Sequence, residues 1–475
     1  MKVLFRAGAI LSIFLATSAI SSQNIVSPQN LGKTGAAAQA VVNALPDRIW
    51  IAPDQTAPDQ ARPDQTGPMF WQSAVSPSGT TLAAVDGQPL GRAPIACCAP
   101  GQPLRLHVAV PGQSDEVVKI EVARYRPLPA GVNPTARILM FGDSLSEIYL
   151  PTALRQQVQA LGYKTEMVGT TMGRDWQGTA DLTEGRGGKQ IRDMLYMRAY
   201  SPNDINTVRP LPIGDEAKYL SLLPSGMSVV TRKYFNPFLR PASGSRFRGT
   251  IVGNHLTVTA VETGFVGLGQ ALHMGATPIN ARIVGFGGGT YGGAGDYVLD
   301  HAPARQEGEI AGEECEFCIN NGTIFDVRFY LNRFGLRDPD WILISAGTND
   351  LLRTHAGPAN FDSLGTTIED GVRSLYGAFR LALPKSRIAF YNVALGAGPG
   401  HDAYEPNHRF MLVTTRDTVR ALHDPYAFWV NTGIWQSEAH GWWVHPEGDD
   451  MTAEAKALAA LIASESNPAG QDIAR

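Results

Sequence analysis

The chain from about residue 136 onwards alternates short, continuous apolar runs with longer segments in which apolar residues recur every three or four positions. RILMF and DWILISAG have the length and composition of buried strands. The segment TTIEDGVRSLYGAFRLALP places Ile368, Val372, Leu375 and Phe379 on one face of a helix. Strands that alternate with helices predict a parallel sheet covered on both faces, which is a three-layer α/β/α core.

Two stretches depart from this rhythm and show the shorter repeats of β-structure. Residues 69–130 contain LRLHVAV and SDEVVKIEVARY around a PGQ turn, which predicts a β-hairpin within a small β domain. Residues 247–300 contain short β-branched runs separated by glycines, which predicts a β module inserted into the main domain at 134–466. Its GFGGGTYGG segment lacks the lysine and the following helix of a phosphate-binding loop.

The first 68 residues are predicted to contain a signal peptide that is cleaved off, followed by an extended spacer. Residues 1–22 begin with Lys2 and Arg6, continue with an apolar run and end in small residues, which predicts a secretory signal peptide. An uncut membrane anchor is the alternative interpretation. Residues 23–68 are rich in proline and repeat Pro-Asp-Gln, so we expect an extended spacer. These features predict an exported protein, secreted or periplasmic, with no membrane span after cleavage.

Composition narrows the possible partners. The 475 residues carry a net charge of −4, only 18% are charged, and no Lys/Arg cluster is present, so a nucleic-acid partner is not expected. The four cysteines Cys97, Cys98, Cys315 and Cys318 lack the usual spacing of zinc ligands. We therefore expect structural disulfides, with their pairing open, and neither a metal nor a cofactor. The oligomeric state is also left open.

Four short polar blocks follow one another along the α/β pattern. They are GDS at 142–144, EGRGG at 184–188, SAGTND at 345–350 and VHP at 444–446. The first three come where strands end, and Ser144 stands between a strand and a helix. A GDS tripeptide alone is a weak signal because many such serines only cap helices. In an open parallel sheet, however, the carboxyl ends of the strands form the ligand-binding crevice.

These blocks resemble those of the SGNH (GDSL-type) serine hydrolases, over roughly 134–243 and 322–466. The resemblance implies an SGNH, flavodoxin-like core in which Ser144 attacks an ester carbonyl and His445 acts as the base. It also implies that the Ser144 N–H, the Gly188 N–H and the Asn349 side-chain amide stabilise the oxyanion. The neighbouring Gly187 is the alternative register for the second block, and His440 is the alternative histidine.

One departure from the family pattern concerns the catalytic acid. Trp442 occupies the position, three residues before His445, where most members have an aspartate, and neither Glu438 nor Glu447 has the expected spacing. A backbone carbonyl could orient the imidazole instead, which would give a Ser–His dyad.

The main functional hypothesis is an exported esterase that removes small acyl groups, with O-acetyl groups on a carbohydrate as the favoured substrate. Two alternatives are a lipase-like or thioesterase-like acyl hydrolase, and a surface carbohydrate-binding protein on a hydrolase scaffold that has lost its acid.

Overall fold

The structure is a computed structural model, and the description below covers part of the chain. The predicted signal peptide, the Pro-Asp-Gln repeats and the Cys97–Cys98 pair lie outside the described residues. The described residues are 45–51, 81–84, 103–109, 116–125, 127–173, 181–196, 236–241, 244–274, 277–303, 314–354, 360–392, 401–435, 445–446 and 448–466.

The first sheet contains four strands in the order β1-β4-β3-β2. The pairing of Leu104 with Ile120 in antiparallel strands β3 and β4 confirms the predicted hairpin. β1 joins the other side of β4 in parallel. That this sheet is a separate domain at 69–130 stays a prediction. The strands are β1 (Arg48–Ile51), β2 (Thr81–Ala84), β3 (Leu104–Ala109) and β4 (Glu116–Arg124).

The chain then forms the first half of a second, mostly parallel sheet. The strand at 135–142 pairs in parallel with the strands at 164–168 and 182–185. The two-residue strand at 171–172 is antiparallel to the strand at 182–185. The elements are β5 (Thr135–Gly142), α1 (Leu150–Ala160), β6 (Lys164–Val168), β7 (Thr171–Met172), β8 (Leu182–Gly185) and α2 (Ile191–Tyr196).

Helix α1 begins later than its sequence suggests. The pattern predicts a helix from near Ser146, but Ser144–Ser146 form a 3-10 turn and the α-helix starts at Leu150. Tyr149 breaks the helix because its φ is +56°, outside the right-handed helical region. Pro151 then occupies the first helical turn, where proline is well tolerated.

The inserted β module is a barrel that is larger than the predicted segment 247–300. Six antiparallel strands pair in the order β10-β11-β14-β13-β12-β15, and β15 pairs back onto β10, which closes the ring. β9 pairs with the end of β15, so the chain enters and leaves the barrel through adjacent strands. The strands are β9 (Leu239–Pro241), β10 (Ser245–Val252), β11 (His255–Thr263), β12 (Gln270–Met274), β13 (Thr277–Gly289), β14 (Gly295–Leu299) and β15 (Glu314–Phe325).

After the barrel the chain returns and completes the parallel sheet, whose order is β18-β17-β16-β5-β8-β7, with β6 also paired to β5. A second 3-10 turn covers Thr432–Trp435. The remaining elements are α3 (Val327–Phe334), β16 (Trp341–Ser345), α4 (Thr348–Thr354), α5 (Phe361–Ala382), β17 (Arg387–Asn392), α6 (His401–Ala421), β18 (Ala427–Asn431) and α7 (Gly448–Ser466).

The two faces of the parallel sheet belong to separate apolar clusters. Along β5, Ile138 and Met140 join a cluster that includes residues of α1 and α7. Leu139 and Phe141 point the other way, into a larger cluster with residues of α5, α6 and the barrel. This alternation is the period-two geometry of a strand buried on both faces. The molecule is therefore a mixed α/β protein with several sheets, and the finer three-layer α/β/α arrangement stays a prediction.

The barrel packs directly on helix α5. The backbone N–H of Phe286 donates to Ser374 Oγ at 2.8 Å, and the Phe286 ring lies against Gly377, where a side chain would be crowded. Gly285 faces Asp370 in the same way. No helix within the described ranges is both long and apolar enough to cross a membrane.

Candidate active site

The nucleophile block lies at the carboxyl end of β5. Gly142 has a φ of +145°, and a Cβ there would collide with the Ser345 carbonyl of β16, so only glycine fits. Asp143 caps the following 3-10 turn by accepting from the Leu145 N–H at 3.0 Å, and it also accepts from Ser345 Oγ at 3.2 Å. Asp143 is therefore part of the turn that presents Ser144.

Burial raises the pKa of Asp143 to about 7. The hydrogen bonds from Leu145 and Ser345 oppose this shift, as does the nearby Asn349 side chain. The carboxyl group behind the nucleophile therefore holds its proton more tightly than an exposed aspartate does.

Ser144 and His445 meet although 301 positions separate them in the sequence. His445 Nε2 lies 2.7 Å from Ser144 Oγ, which is a short and direct hydrogen bond. Ser144 is 9% exposed, so its hydroxyl is largely shielded from bulk water. The pair has the geometry that a nucleophile and its base require.

Gly188 lies in the tight turn that follows β8. Its φ is +70°, which glycine adopts without strain. The N–H of Gly187 donates to Glu147 Oε2 at 2.6 Å, whereas no described residue accepts a hydrogen bond from the Gly188 N–H. Of the two registers that the sequence left open, Gly188 is therefore the one with a backbone donor to offer.

Asn349 lies in the first turn of α4, directly after β16. It is near enough to Asp143 to lower the pKa of that carboxyl, but its Nδ2 is buried and makes no normal hydrogen bond to a described residue. A buried donor of this kind costs stability unless a ligand satisfies it. The amide is thus suited to donate to a negatively charged oxygen.

Strand pairing explains why these blocks converge. Ser345 of β16 is opposite Gly142 of β5, and Gly142 is opposite Gly185 of β8. The carboxyl ends of three neighbouring strands therefore present the Ser144, Gly188 and Asn349 segments along one edge of the sheet, and His445 contacts Ser144 from the segment before α7. The catalytic roles of these residues stay predictions.

The sequence did not reveal a buried polar network behind the Gly188 turn. Glu184 accepts from Arg186 Nη2 and from Tyr330 Oη, both at 2.6 Å, and Arg186 also donates to Thr171 Oγ1 at 2.9 Å. Glu184 and Arg186 are 1% and 5% exposed. A buried ion pair is tolerated when hydrogen bonds satisfy both charges. The EGRGG letters signalled only the glycines, because the partners Thr171 and Tyr330 come from distant segments.

Several residues that the sequence brought into consideration lie outside the described part of the chain: His440, Trp442, Glu438 and Glu447. His445 has a further interaction beyond its bond to Ser144. Within the described residues, no group of three or more His, Cys, Asp and Glu side chains is placed to hold a metal ion.

No family model and no curated protein sequence matches the chain. Among solved structures, it is similar to a Clostridium thermocellum family 3 carbohydrate esterase, at 11% identity and a TM-score of 0.32, over 68% of this chain and 93% of the other. It is also similar to a peptidoglycan O-acetylesterase, at 13% identity and a TM-score of 0.28, over 70% and 91%. A third similar structure is a family 2 carbohydrate esterase with a carbohydrate-binding domain, from Corynascus thermopiles (Myceliophthora fergusii). The identity is 12% and the TM-score is 0.29, over 74% of this chain and 70% of the other. At such TM-scores, the likeness is no basis for assigning a family or an activity to this chain.

Proposed function

We propose that this protein is a serine esterase that hydrolyses small acyl esters. The observation that supports the proposal most directly is the 2.7 Å contact between Ser144 Oγ and His445 Nε2. The burial of Ser144 and the unsatisfied Asn349 amide support the same chemistry. A carbohydrate carrying O-acetyl groups is the favoured substrate, on the strength of the sequence resemblance. Export through the predicted signal at 1–22 is part of the proposal.

The reaction proceeds in two halves. In the first, His445 Nε2 takes the Ser144 proton while Oγ bonds to the ester carbonyl carbon, and the carbonyl oxygen becomes an oxyanion. The Ser144 N–H, the Gly188 N–H and the Asn349 amide donate hydrogen bonds to that oxygen. When the intermediate collapses, the carbon–oxygen bond to the alcohol breaks, and the alcohol leaves with the proton from His445.

In the second half, His445 takes a proton from water and the resulting hydroxide attacks the acyl group on Ser144. The second tetrahedral intermediate uses the same three donors. Its collapse releases the carboxylic acid and returns the proton to Ser144, so the free enzyme is restored without a cofactor.

The proposal is tested with p-nitrophenyl acetate and p-nitrophenyl octanoate, which distinguish a short acyl pocket from a long one. We expect turnover of the acetate by the wild-type protein, and a loss of about a thousandfold or more in Ser144→Ala. Preference for the octanoate would favour a lipase-like or thioesterase-like enzyme. Absence of turnover in wild type and variant alike, together with binding of a polysaccharide, would contradict an enzyme and favour a binding protein.

A further inference from the structure

Glu147 joins the turn that carries the nucleophile to the turn that carries the Gly188 donor. It stands at the end of the 3-10 turn, where its N–H donates to the Ser144 carbonyl at 3.1 Å. Its carboxylate reaches the other turn, where Oε2 accepts from the Gly187 N–H at 2.6 Å. Glu147 is only 2% exposed, so water does not compete well for this bond.

The two turns are also in direct van der Waals contact. A Cβ added at Gly185 would come within 2.5 Å of Glu147 N and of Ser146 C, so the end of β8 lies flat against the nucleophile turn. Thr183 Oγ1 adds a hydrogen bond of 2.6 Å to the Ser146 carbonyl. The spacing between the two turns is therefore fixed by backbone contact. The Glu147 carboxylate adds a bond to the Gly187 N–H, which lies beyond that contact.

The backbone N–H groups after β8 show the consequence. Arg186 N–H donates to the Gly142 carbonyl at 2.8 Å, and Lys189 N–H donates to the Arg186 carbonyl at 3.3 Å. The Gly187 N–H is held by Glu147. Among the described residues, only the Gly188 N–H of this turn has no acceptor. Glu147 thus decides which glycine N–H remains available.

We propose that Glu147 is a positioning residue that fixes the Gly187–Gly188 turn so that the Gly188 N–H faces the oxyanion. This role rests on the proposed esterase function. A carboxylate that accepts an N–H makes a stronger hydrogen bond than a neutral acceptor. Without it, the Gly187 N–H would be buried with no acceptor, and a glycine pair has little intrinsic preference for one conformation. The turn would then sample arrangements in which Gly188 points elsewhere.

The first test compares Glu147→Ala and Glu147→Gln in the full-length protein with p-nitrophenyl acetate. We expect kcat to fall roughly 10- to 100-fold in the alanine variant with KM changed by less than about threefold, because a misplaced donor affects the transition state more than substrate binding. Glutamine keeps an acceptor oxygen and should restore most of the loss. A kcat equal to wild type in the alanine variant would overturn the inference.

The matched control is Gln270→Ala. Gln270 is fully buried in the barrel, and its Oε1 accepts from the N–H of another glycine, Gly267. Its Nε2 also donates to the Phe265 carbonyl at 2.9 Å, so the substitution removes a side-chain bond to a glycine N–H, together with one further bond, away from Ser144. We expect this variant to lose stability while its kcat stays within about twofold of wild type. An equal fall of kcat in both alanine variants would reduce Glu147 to a general structural residue and overturn the inference.

A second measurement does not depend on activity. Amide hydrogen exchange of a peptide covering residues 182–190 should be at least about tenfold faster in Glu147→Ala, with the peptide covering β16 unchanged. If the wild-type protein lacks esterase activity, the proposed function fails, while slower exchange in wild type than in the variant still supports the hold on the turn. Unchanged exchange at 182–190 would overturn it.

Discussion

At the scale of single residues, Asn349 is the side chain that most favours the proposed active site over an ordinary turn. An asparagine after a strand is commonly a turn residue whose amide bonds to nearby backbone. Here Nδ2 is buried and unsatisfied among the described residues, next to a serine already bonded to a histidine. An orphaned buried donor is retained when a ligand or an intermediate uses it.

Asn349→Ala should therefore affect the rate far more than the fold. We expect kcat for p-nitrophenyl acetate to fall roughly 100- to 1,000-fold, because one oxyanion donor is worth about 3–4 kcal/mol in the transition state. The midpoint of urea unfolding should change little, since the amide makes no normal bond in the described structure. A full-rate alanine variant would contradict the assignment of Asn349 to the oxyanion hole.

The contact between the two predicted catalytic residues could be expected from the sequence, whereas the residues that position them could not. Ser144 and His445 were paired from two blocks at opposite ends of the domain, and they lie in contact. Glu147 gave no signal, because a glutamate before a helix usually faces solvent and its partner Gly187 lies 40 positions away. Residues of the second kind are defined by contacts that the chain order does not contain.

At the scale of elements, helix α5 has a face of small residues that lets two neighbours approach. Ser374 and Gly377 accommodate Phe286 of the barrel, and Gly371 accommodates Ile191 at the start of α2. Because α2 follows the Gly188 turn, the contact between Gly371 and Ile191 lets α5 support that turn. The glycines cost helix stability, at about 1 kcal/mol each relative to alanine, and close packing offsets that cost.

Gly371→Ala should destabilise the protein although alanine is the better helix former. A Cβ at this position would lie 2.7 Å from both Cδ1 and Cγ2 of Ile191. The overpacking costs about 1–3 kcal/mol, which outweighs the gain of up to about 1 kcal/mol in helix propensity. Urea unfolding measures the difference. Ser363→Ala, at an exposed position of the same helix, serves as the control and should be neutral or slightly stabilising.

The elements themselves could be predicted far better than their assembly. RILMF, DWILISAG and the α5 segment were each assigned correctly from local pattern. The start of α1 was not, although Pro151 gave a usable signal. The ring closure of the barrel through β10 and β15 was beyond the sequence, because about 70 residues separate Arg246 from Ile319 and strand pairing at such distances leaves no local mark.

At the scale of the whole molecule, the buried carboxyl groups around the site link stability to pH. Burial raises the pKa of Asp350 to about 7, the N–H of Ile191 opposes this shift, and the nearby Asp193 and Asp143 add to it. The unfolded chain ionises Asp350 near its ordinary value of 3.8. The folded state thus holds the proton more tightly, and the stabilisation that this gives is complete below about pH 4 and is lost as the pH rises towards 7.

Asp350→Asn tests this linkage. Asparagine keeps an acceptor for the Ile191 N–H, which donates to Asp350 Oδ2 at 3.0 Å, but it cannot ionise. Relative to wild type, the variant should gain roughly 1–3 kcal/mol in free energy of unfolding between pH 4 and pH 7. Urea unfolding of both proteins at a series of pH values measures how the difference in their free energies of unfolding changes with pH. A difference that does not vary with pH would contradict an elevated pKa at this position.

Because β9 pairs with the end of β15, the barrel is connected to the parallel-sheet domain at one place only among the described strands. Because the insert leaves its host and rejoins it through adjacent strands, both junctions occupy a single gap in the surrounding fold. A shorter or longer module could span that gap without displacing β5 or β16, which the serine and amide blocks follow. The barrel could thus be exchanged for another module without altering the Ser144 and Asn349 segments, provided that the new module still packs on Ser374 and Gly377 of α5.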